Sequence, residues 1–281
     1  MKKEYFRILL VQMNLKLGYD CEKEFLIDDE EYFRQMEFVM KKICKNDYDV
    51  IVFPEMSYHK EYDNYFSNNS KDKIIVYGSH YIGNENCTIV YHNNKKFCVS
   101  KAYSSGVEPS IRYQDNISVN HFMKSCLKDH TFVLKGKKFI VLNCAEYYKV
   151  AYFIARDEVK SKNLFGFLVP CANNNNEVFL TESKAIHNHC DNVYSFVVNS
   201  SAYYNEEKYS SGGSYVFGKM SVYERDCGCE NRIKHPSNIC YLDEGSYLID
   251  GEFLFKDSSL FYRSDDFRHT PKNLKIERIE G

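Results

Sequence analysis

Three residues that can take part in catalysis each follow a short apolar run in this sequence. Cys144 comes after FIVL and an asparagine, Glu55 comes directly after VIVFP, and Lys101 comes directly after FCVS. Short apolar runs with β-branched members are typical of buried strands. Open α/β sheets place much of their chemistry at the carboxyl ends of such strands. We therefore predict that the three side chains lie at strand ends, although a cysteine in this position also commonly serves only to fill the core.

A cysteine, a glutamate and a lysine together can break an amide bond. Glu55 would take the proton of the Cys144 thiol as general base, and the sulfur would attack the carbonyl carbon. Lys101 and the backbone N–H of Ala145 would stabilise the oxyanion, and one such donor contributes about 3 kcal/mol, roughly a hundredfold in rate. Glu55 would then protonate the leaving amine, and water would release the acid from a thioester. The structural alternative makes Glu55 a helix cap after Pro54 and Lys101 a solvated charge.

In their order and local sequence, these residues resemble the nitrilase (carbon–nitrogen hydrolase) superfamily. That family has a strand-end Pro-Glu, a Lys followed by a second Glu, and a Cys followed two residues later by an acidic residue; the matching residues here are Glu55, Lys101, Glu108, Cys144 and Glu146. Other fragments that resemble the family are RILLVQMN, IVYGS, LVPCANN, AIHN and GGSYVFG. The resemblance implies an α/β fold, a nitrilase-like four-layer α-β-β-α sandwich, assembled into a homodimer or higher homo-oligomer. It also implies that Glu108 positions Lys101 or the attacking water.

The residues around the nucleophile leave the substrate undefined. Glu146 either lines the pocket or forms a structural pair, and both interpretations stay open. Tyr147 stands where the family commonly continues Arg-Phe-Pro-Glu, which makes it a candidate for substrate contact. By resemblance, Asn173 or Asn174 lies at the pocket wall, although the run of asparagines is also an ordinary turn. With Ala145, these are the predicted substrate and oxyanion residues.

The bulk composition is that of an ordinary globular protein, with 281 residues, 44% hydrophobic and 27% charged. The formal net charge of −2 gives no global attraction to nucleic acid or to an anionic membrane. The first apolar run is too short for a signal peptide, and no segment approaches the ~18 apolar residues of a membrane helix. The cysteine count of 11 is odd, and the chain is long enough to fold without disulfides. We therefore expect free thiols in a reducing cytoplasm.

Strand-like runs recur along the chain and alternate with helical patterns, which predicts a layered α/β domain. Nine strands are predicted, at residues 7–12, 50–53, 74–78, 87–92, 96–99, 139–143, 165–170, 195–199 and 214–217. Helices are predicted over residues 29–45, 147–160 and 181–189, and hairpin turns at 83–84 and 93–94. No repeat or linker interrupts the sequence. We predict one domain over residues 1–281, with an extended C-terminal arm from about residue 256.

Two clusters have residue types that bind metals. Cys227 and Cys229, with His235 and Cys240, are spaced more tightly than the paired ligands of zinc sites. The histidines within residues 187–190 are two positions apart, so they do not share a helix face. We predict neither a metal nor a cofactor.

These observations favour a cysteine-dependent amidase acting on a small linear amide, or on a nitrile. An acyltransferase that passes the acyl group to an amine would use the same residues. The alternative from a different class is a nitrilase-like binding or assembly module of a larger system, with its chemistry secondary or lost.

Overall fold

The computed structural model of the protein describes residues 5–20, 23–83, 85–103, 117–158, 163–190, 193–218, 238–240, 244–254 and 272–279. The strands in these residues are β1 (Tyr5–Gln12), β2 (Asn14–Asp20), β3 (Lys23–Leu26), β4 (Val50–Phe53), β5 (Ile74–Ile82), β6 (Glu85–His92), β7 (Lys95–Ser100), β8 (Thr131–Leu134), β9 (Lys137–Val141), β10 (Leu164–Cys171), β11 (Tyr194–Asn199), β12 (Ser201–Tyr204), β13 (Glu207–Ser211), β14 (Tyr215–Phe217), β15 (Asn238–Cys240), β16 (Tyr247–Leu254) and β17 (Lys272–Arg278). The helices are α1 (Glu30–Lys45), α2 (Asp63–Asn68), α3 (Val119–His121), α4 (Ala145–Glu158) and α5 (Asn176–His189). A 3₁₀ turn, Lys60–Tyr62, precedes α2, and a π turn, Phe122–Cys126, follows α3. None of the helices in this part of the chain has both the length and the apolar content that a membrane span requires.

The strands form two large sheets and one small sheet. The first sheet has the order β17-β16-β1-β4-β5-β6-β7, and β1, β4 and β5 run parallel in its middle. The second sheet has the order β15-β14-β11-β10-β9-β8, with β9, β10 and β11 parallel. The small sheet has the order β13-β12-β2-β3. Parallel strands thus occupy the centre of both large sheets, where they are buried on both faces.

Alternating side chains on the two large sheets define the layers of the fold. On β4, Val50 and Val52 belong to the apolar cluster between the sheets, while Ile51 and Phe53 belong to the cluster beneath α1. Strand β9 alternates in the same way between the central cluster and the cluster beneath α4 and α5. The order of layers is therefore helix, sheet, sheet, helix. The predicted four-layer α-β-β-α sandwich is confirmed.

Helix α1 shows why the sequence forms these layers. The Asp29 carboxylate caps its first turn by accepting the N–H of Tyr32 at 2.8 Å. Tyr32, Met36, Val39 and Ile43 follow the three-to-four-residue spacing of one helix face, and all four are buried against the first sheet. The helix predicted from that spacing is confirmed.

The structure confirms the nine predicted strands and moves the start of two helices. Helix α4 begins at Ala145, two residues before the predicted start. Helix α5 begins at Asn176 instead of residue 181, because the Asn175 side chain caps it by accepting the N–H of Glu177 at 3.1 Å. The predicted turn at Asn93 and Asn94 is present, with both residues at positive φ. Part of the other predicted turn, at residues 83–84, lies outside the described residues.

The sequence interpretation missed the strands of the small sheet, together with β8, β15, β16 and β17. Strand β17 lies in the segment that was interpreted as an arm from about residue 256, and it pairs antiparallel with β16 at the edge of the first sheet. This part of the segment therefore belongs to the sandwich. Residues 255–271 lie outside the described part of the chain.

Candidate active site

Glu55 lies at the carboxyl end of β4 with both carboxylate oxygens engaged. Lys101 Nζ donates to Oε1 at 2.9 Å, and Asn86 Nδ2 donates to the same oxygen at 3.1 Å. The backbone N–H of Ala172 donates to Oε2 at 3.2 Å. The backbone N–H of Glu55 itself donates to Cys171 O at 3.3 Å. The carboxylate is thus fixed from both large sheets.

The turn that presents Glu55 is held by its neighbours. Met56 has φ 61°, an uncommon conformation for a residue with a side chain, and its N–H donates to Ser79 Oγ at 3.2 Å. Ser57 Oγ donates to Pro54 O at 2.8 Å, which closes the turn. Gly78 has φ +66°, and a Cβ there would stand 2.6 Å from Pro54 O. The close approach of β5 to this turn therefore requires a glycine.

Lys101 directly follows β7, the second strand of the β6–β7 hairpin, and its side chain extends to Glu55. Its backbone N–H donates to Asn86 O at 2.8 Å, and its buried ammonium donates to Glu55. Asn86, on β6, therefore fixes the lysine through its backbone and the glutamate through its side chain. The sequence interpretation missed Asn86, because nothing in the local sequence distinguishes it from other asparagines near hairpin turns.

Cys144 lies just beyond β9 and directly before α4. Its backbone N–H donates to Pro170 O at 2.9 Å, and its φ of 46° turns the chain sharply from strand to helix. The side chain is buried, with the residue 5% exposed. Ala145 is the first residue of α4, where backbone N–H groups have no partner within the helix and the positive end of the helix dipole lies.

The end of β10 connects the predicted residues, because the N–H of Cys144 donates to Pro170 O at 2.9 Å and the N–H of Glu55 donates to Cys171 O at 3.3 Å. Burial raises the pKa of Cys171 well above its ordinary value; its hydrogen bond to Cys144 and the negative charge of Glu55 act in the same direction, and the charge of Lys101 acts against them. Cys171 therefore lies within interaction range of all three side chains. The structure brings Glu55, Lys101 and Cys144 to one edge of the sandwich.

Glu146 is a brace and not a pocket residue. Its Oε1 accepts the N–H of Ala102 at 2.6 Å, and its Oε2 accepts the N–H of Asn143 at 2.7 Å. His130 Nε2 lies 3.4 Å from Oε1. Glu146 has no exposed surface. Of the two interpretations left open for Glu146, the structural one is correct, because the carboxylate ties the residue after Lys101 to the residue before Cys144.

The hydroxyl group of Tyr147 forms hydrogen bonds within the core, and its predicted substrate role stays a prediction. Tyr147 is fully buried beneath α4, where its hydroxyl group donates to Ser195 Oγ at 2.6 Å and lies 2.8 Å from Ser183 Oγ. Burial raises the pKa of this phenol. Its ring stacks with that of Phe179. Tyr147 therefore joins α4, α5 and β11.

Asn173 belongs to a hydrogen-bonded loop, and its predicted place at a substrate wall stays a prediction. Its Nδ2 donates to Asn199 Oδ1 at 3.3 Å, and its Oδ1 accepts the N–H of Asn175 at 2.9 Å. Asn199 is completely buried and donates in return to Asn173 O at 2.8 Å. Both polar atoms of the Asn173 side chain thus serve the loop.

Fragments that resembled the family in sequence meet behind this loop. The backbone N–H of Asn199, at the end of β11, donates to Ser214 Oγ at 3.0 Å. The N–H of Ser214 donates to Gln12 Oε1 at 2.9 Å. Gln12 comes from the RILLVQMN fragment and Ser214 from GGSYVFG. These contacts connect the ends of β1, β11 and β14.

Several predicted residues lie outside the described part of the chain. Glu108 is one of them, so its predicted role stays a prediction. Cys227, Cys229 and His235 are others. Among the described residues, no group of three or more histidine, cysteine or acidic side chains is arranged to hold a metal ion.

The fold is similar to those of solved structures. A CN-hydrolase superfamily protein from Xanthomonas campestris, solved with an arsenic adduct in its active site, has 13% identity and a TM-score of 0.52, over 84% of this chain and 89% of that protein. Glutamine-dependent NAD⁺ synthetases from Cytophaga hutchinsonii and Acinetobacter baumannii have 12% and 18% identity, with TM-scores of 0.53 and 0.50. These two matches cover 88% and 89% of this chain but 43% and 45% of the synthetases, so the chain spans less than half of their length.

No protein-family model matches the sequence, and no curated protein matches it. The structural comparison nevertheless defines the class of architecture: the chain has the α-β-β-α fold of CN-hydrolase superfamily proteins. The resemblance predicted from the sequence is confirmed at the level of the fold.

Proposed function

We propose that the protein is a cysteine-dependent carbon–nitrogen hydrolase of the amidase type, which cleaves a small linear amide through a thioester on Cys144. The observation that carries the proposal is the buried ion pair of Glu55 and Lys101 beside a cysteine at a helix N-terminus. A buried ion pair adds little to stability when compared with apolar residues of the same volume. A catalytic role gives a reason for this arrangement at the end of a buried strand.

The geometry supports a distinct role for each group. Glu55 takes the thiol proton of Cys144 and later gives a proton to the leaving amine. The sulfur forms a bond to the carbonyl carbon, whose oxygen becomes the oxyanion. Lys101 and the N–H of Ala145 are the positive groups that stabilise this oxygen. Water, activated by Glu55, then breaks the thioester and releases the acid.

The test is the release of ammonia from a panel of small primary amides by the full chain. We expect turnover for the wild type, and a loss on the order of a thousandfold or more for Cys144→Ala and for Glu55→Gln. Mass spectrometry of a rapidly quenched reaction should find the acyl group on Cys144. Full activity of Cys144→Ala would overturn the proposal.

Two further measurements separate the alternatives. An added amine that yields a new amide product would identify an acyltransferase that uses the same residues. Rapid alkylation of Cys144 relative to the other thiols would support an activated nucleophile, whereas equal labelling of all thiols, without turnover, would support a binding module. The homo-oligomeric state and the cytoplasmic location remain proposals of the same kind.

A further inference from the structure

Cys144, just beyond β9, lies opposite Cys171 at the end of β10. The parallel pairing of β9 with β10 aligns Val141 with Leu168. The hydrogen bonds continue past this pair, from the N–H of Leu142 to Leu168 O at 3.0 Å and from the N–H of Cys144 to Pro170 O at 2.9 Å. The same offset of 27 residues (168 − 141 and 171 − 144) aligns Cys171 with Cys144.

The side chains of the two cysteines are also on the same face of the sheet. Alternate residues of β9 and β10 enter the apolar cluster beneath α4 and α5, and Cys144 and Cys171 both belong to that cluster. Adjacent strands are about 4.8 Å apart, and a disulfide joins Cα atoms roughly 4.4–6.8 Å apart. The two thiols are hydrogen-bonded to each other, and both are free. The spacing expected for paired backbones is thus compatible with the Cα separation of a disulfide.

The two thiols differ in their access to solutes. Cys144 belongs to the candidate active site and must be reachable by any substrate, whereas Cys171 is completely buried behind it. Burial and the hydrogen bond to Cys144 raise the pKa of Cys171, so this buried thiol is little ionised near neutral pH. Oxidation therefore starts at Cys144, and Cys171 is in position to resolve it.

We infer that Cys144 and Cys171 form a reversible redox modification site, in which a peroxide converts the nucleophile to a disulfide with its strand neighbour. In the first step, the Cys144 sulfur breaks the O–O bond of hydrogen peroxide and becomes a sulfenic acid, with release of one water. In the second, the Cys171 sulfur attacks the Cys144 sulfur, the S–OH bond breaks, and a second water leaves with the Cys171 proton. Glu55 is the base beside both sulfurs. Two thiols are oxidised and one peroxide is reduced, and the disulfide removes the nucleophile until a thiol reductant restores it.

The inference predicts a specific cross-link in the full-length protein. After treatment with equimolar hydrogen peroxide and alkylation of the remaining thiols, peptide mass spectrometry should find the Cys144 and Cys171 peptides joined, with the loss of two hydrogen atoms. Dithiothreitol should reverse the link. This readout requires no turnover, so it can succeed or fail independently of the proposed hydrolase activity.

Two variants make the test decisive. In Cys171→Ala treated with excess hydrogen peroxide, one peroxide should convert Cys144 to the sulfenic acid and a second should convert it to sulfinic acid, a modification that dithiothreitol does not reverse. Cys190→Ala removes another buried thiol of the same cluster and should behave like the wild type. Sulfinic acid on Cys144 of the wild type without the link, or full reversal by dithiothreitol in Cys171→Ala, would overturn the inference.

Discussion

The ammonium group of Lys101 lies 2.9 Å from a carboxylate oxygen of Glu55, and the two side chains are only 1% and 4% exposed. Glu55 follows β4 and Lys101 follows β7, so the two residues are 46 positions apart in the sequence. The two groups form an ion pair in a region with little water. The pair therefore links the stability of the sheet edge to the chemistry proposed for it.

Removal of one member of this pair should cost more than removal of both charges. Lys101→Met leaves the Glu55 charge buried without its cation, and breaking a buried pair in this way typically costs about 3–5 kcal/mol. The double variant Lys101→Met/Glu55→Gln should recover much of that loss in urea unfolding, while turnover stays absent. If the single variant is as stable as the wild type, the ion pair of Glu55 and Lys101 is not buried.

Replacement of Gly78 should damage the turn that carries Glu55. Gly78→Ala places a Cβ 2.6 Å from Pro54 O in a left-handed conformation, whereas Gly136 has a similar φ of +78° with no atom within 4 Å of the added Cβ. We expect Gly136→Ala to lose about 1–2 kcal/mol of stability from the conformation alone. Gly78→Ala should lose roughly 1–3 kcal/mol more because of the clash, together with amidase activity. Equal losses for the two variants would contradict the close approach.

The brace formed by Glu146 should matter for rate more than for substrate affinity. Glu146→Gln keeps the shape of the side chain but can accept only one of the two N–H groups, from Ala102 and from Asn143. The loops that carry Lys101 and Cys144 then shift relative to each other. We expect kcat to fall about a hundredfold, as for small misplacements of reacting groups, with KM nearly unchanged. A large rise in KM at constant kcat would instead indicate that Glu146 contacts the substrate.

The pair of His130 and Glu146 should make stability depend on pH. Burial lowers the pKa of His130, but the charge of Glu146, its hydrogen bond and that of Cys126 O outweigh burial, so the net shift is upward. A group whose pKa is raised by folding stabilises the protein fully below its unfolded pKa, about 6.5 for histidine. This contribution is lost as the pH rises through the folded pKa.

His130→Asn should therefore destabilise the protein more at pH 6 than at pH 9. Urea unfolding at the two pH values measures the difference. His121→Asn, at an exposed position of α3, controls for the loss of a surface imidazole. The same destabilisation by His130→Asn at both pH values would refute the linkage.

Tyr147→Phe tests whether this phenol serves the core or the substrate. The variant removes the hydroxyl group that donates to Ser195 Oγ. Ser183 keeps Phe179 O and the Tyr215 hydroxyl group as partners. We expect a loss of about 1–2 kcal/mol in unfolding free energy. KM should stay at the wild-type value, since the hydroxyl group lies beneath α4. A several-fold change in KM without a loss of stability would indicate that the phenol contacts the substrate.

The resemblance to the nitrilase superfamily predicted the four-layer sandwich, and local signals predicted that Glu55, Lys101 and Cys144 follow strands. Apolar runs such as VIVF and FIVL indicate strands buried on two faces, and residues that follow parallel strands meet at one edge of the sheet. The residues that the sequence left open or that were missed depend on contacts distant in sequence. The donor that engages Glu146, Ala102 N–H, is 44 positions away, and Asn86 reaches Glu55 across 31 positions.

Adjacency to the nucleophile was misleading for a geometric reason. Successive residues of an α-helix are rotated by about 100° around its axis. Glu146 and Tyr147, in the first turn of α4, therefore point in different directions although both follow Cys144 closely. Strand β16 pairs with β1 and with β17. The strands β16 and β17 were missed because this pairing depends on register between distant segments and not on a local sequence pattern.

The position of β1 has a consequence for biosynthesis. Its eight residues pair with β16 from Tyr5–Leu254 to Gln12–Tyr247, so the shortest separation between partners is 235 residues. At typical translation rates of 5–20 residues per second, the first strand leaves the ribosome roughly 10–50 s before this partner exists. An unpaired strand edge is a template for association with other chains. The nascent polypeptide therefore needs shielding during this interval, and the lifetime of its exposed edge is set by the ribosome.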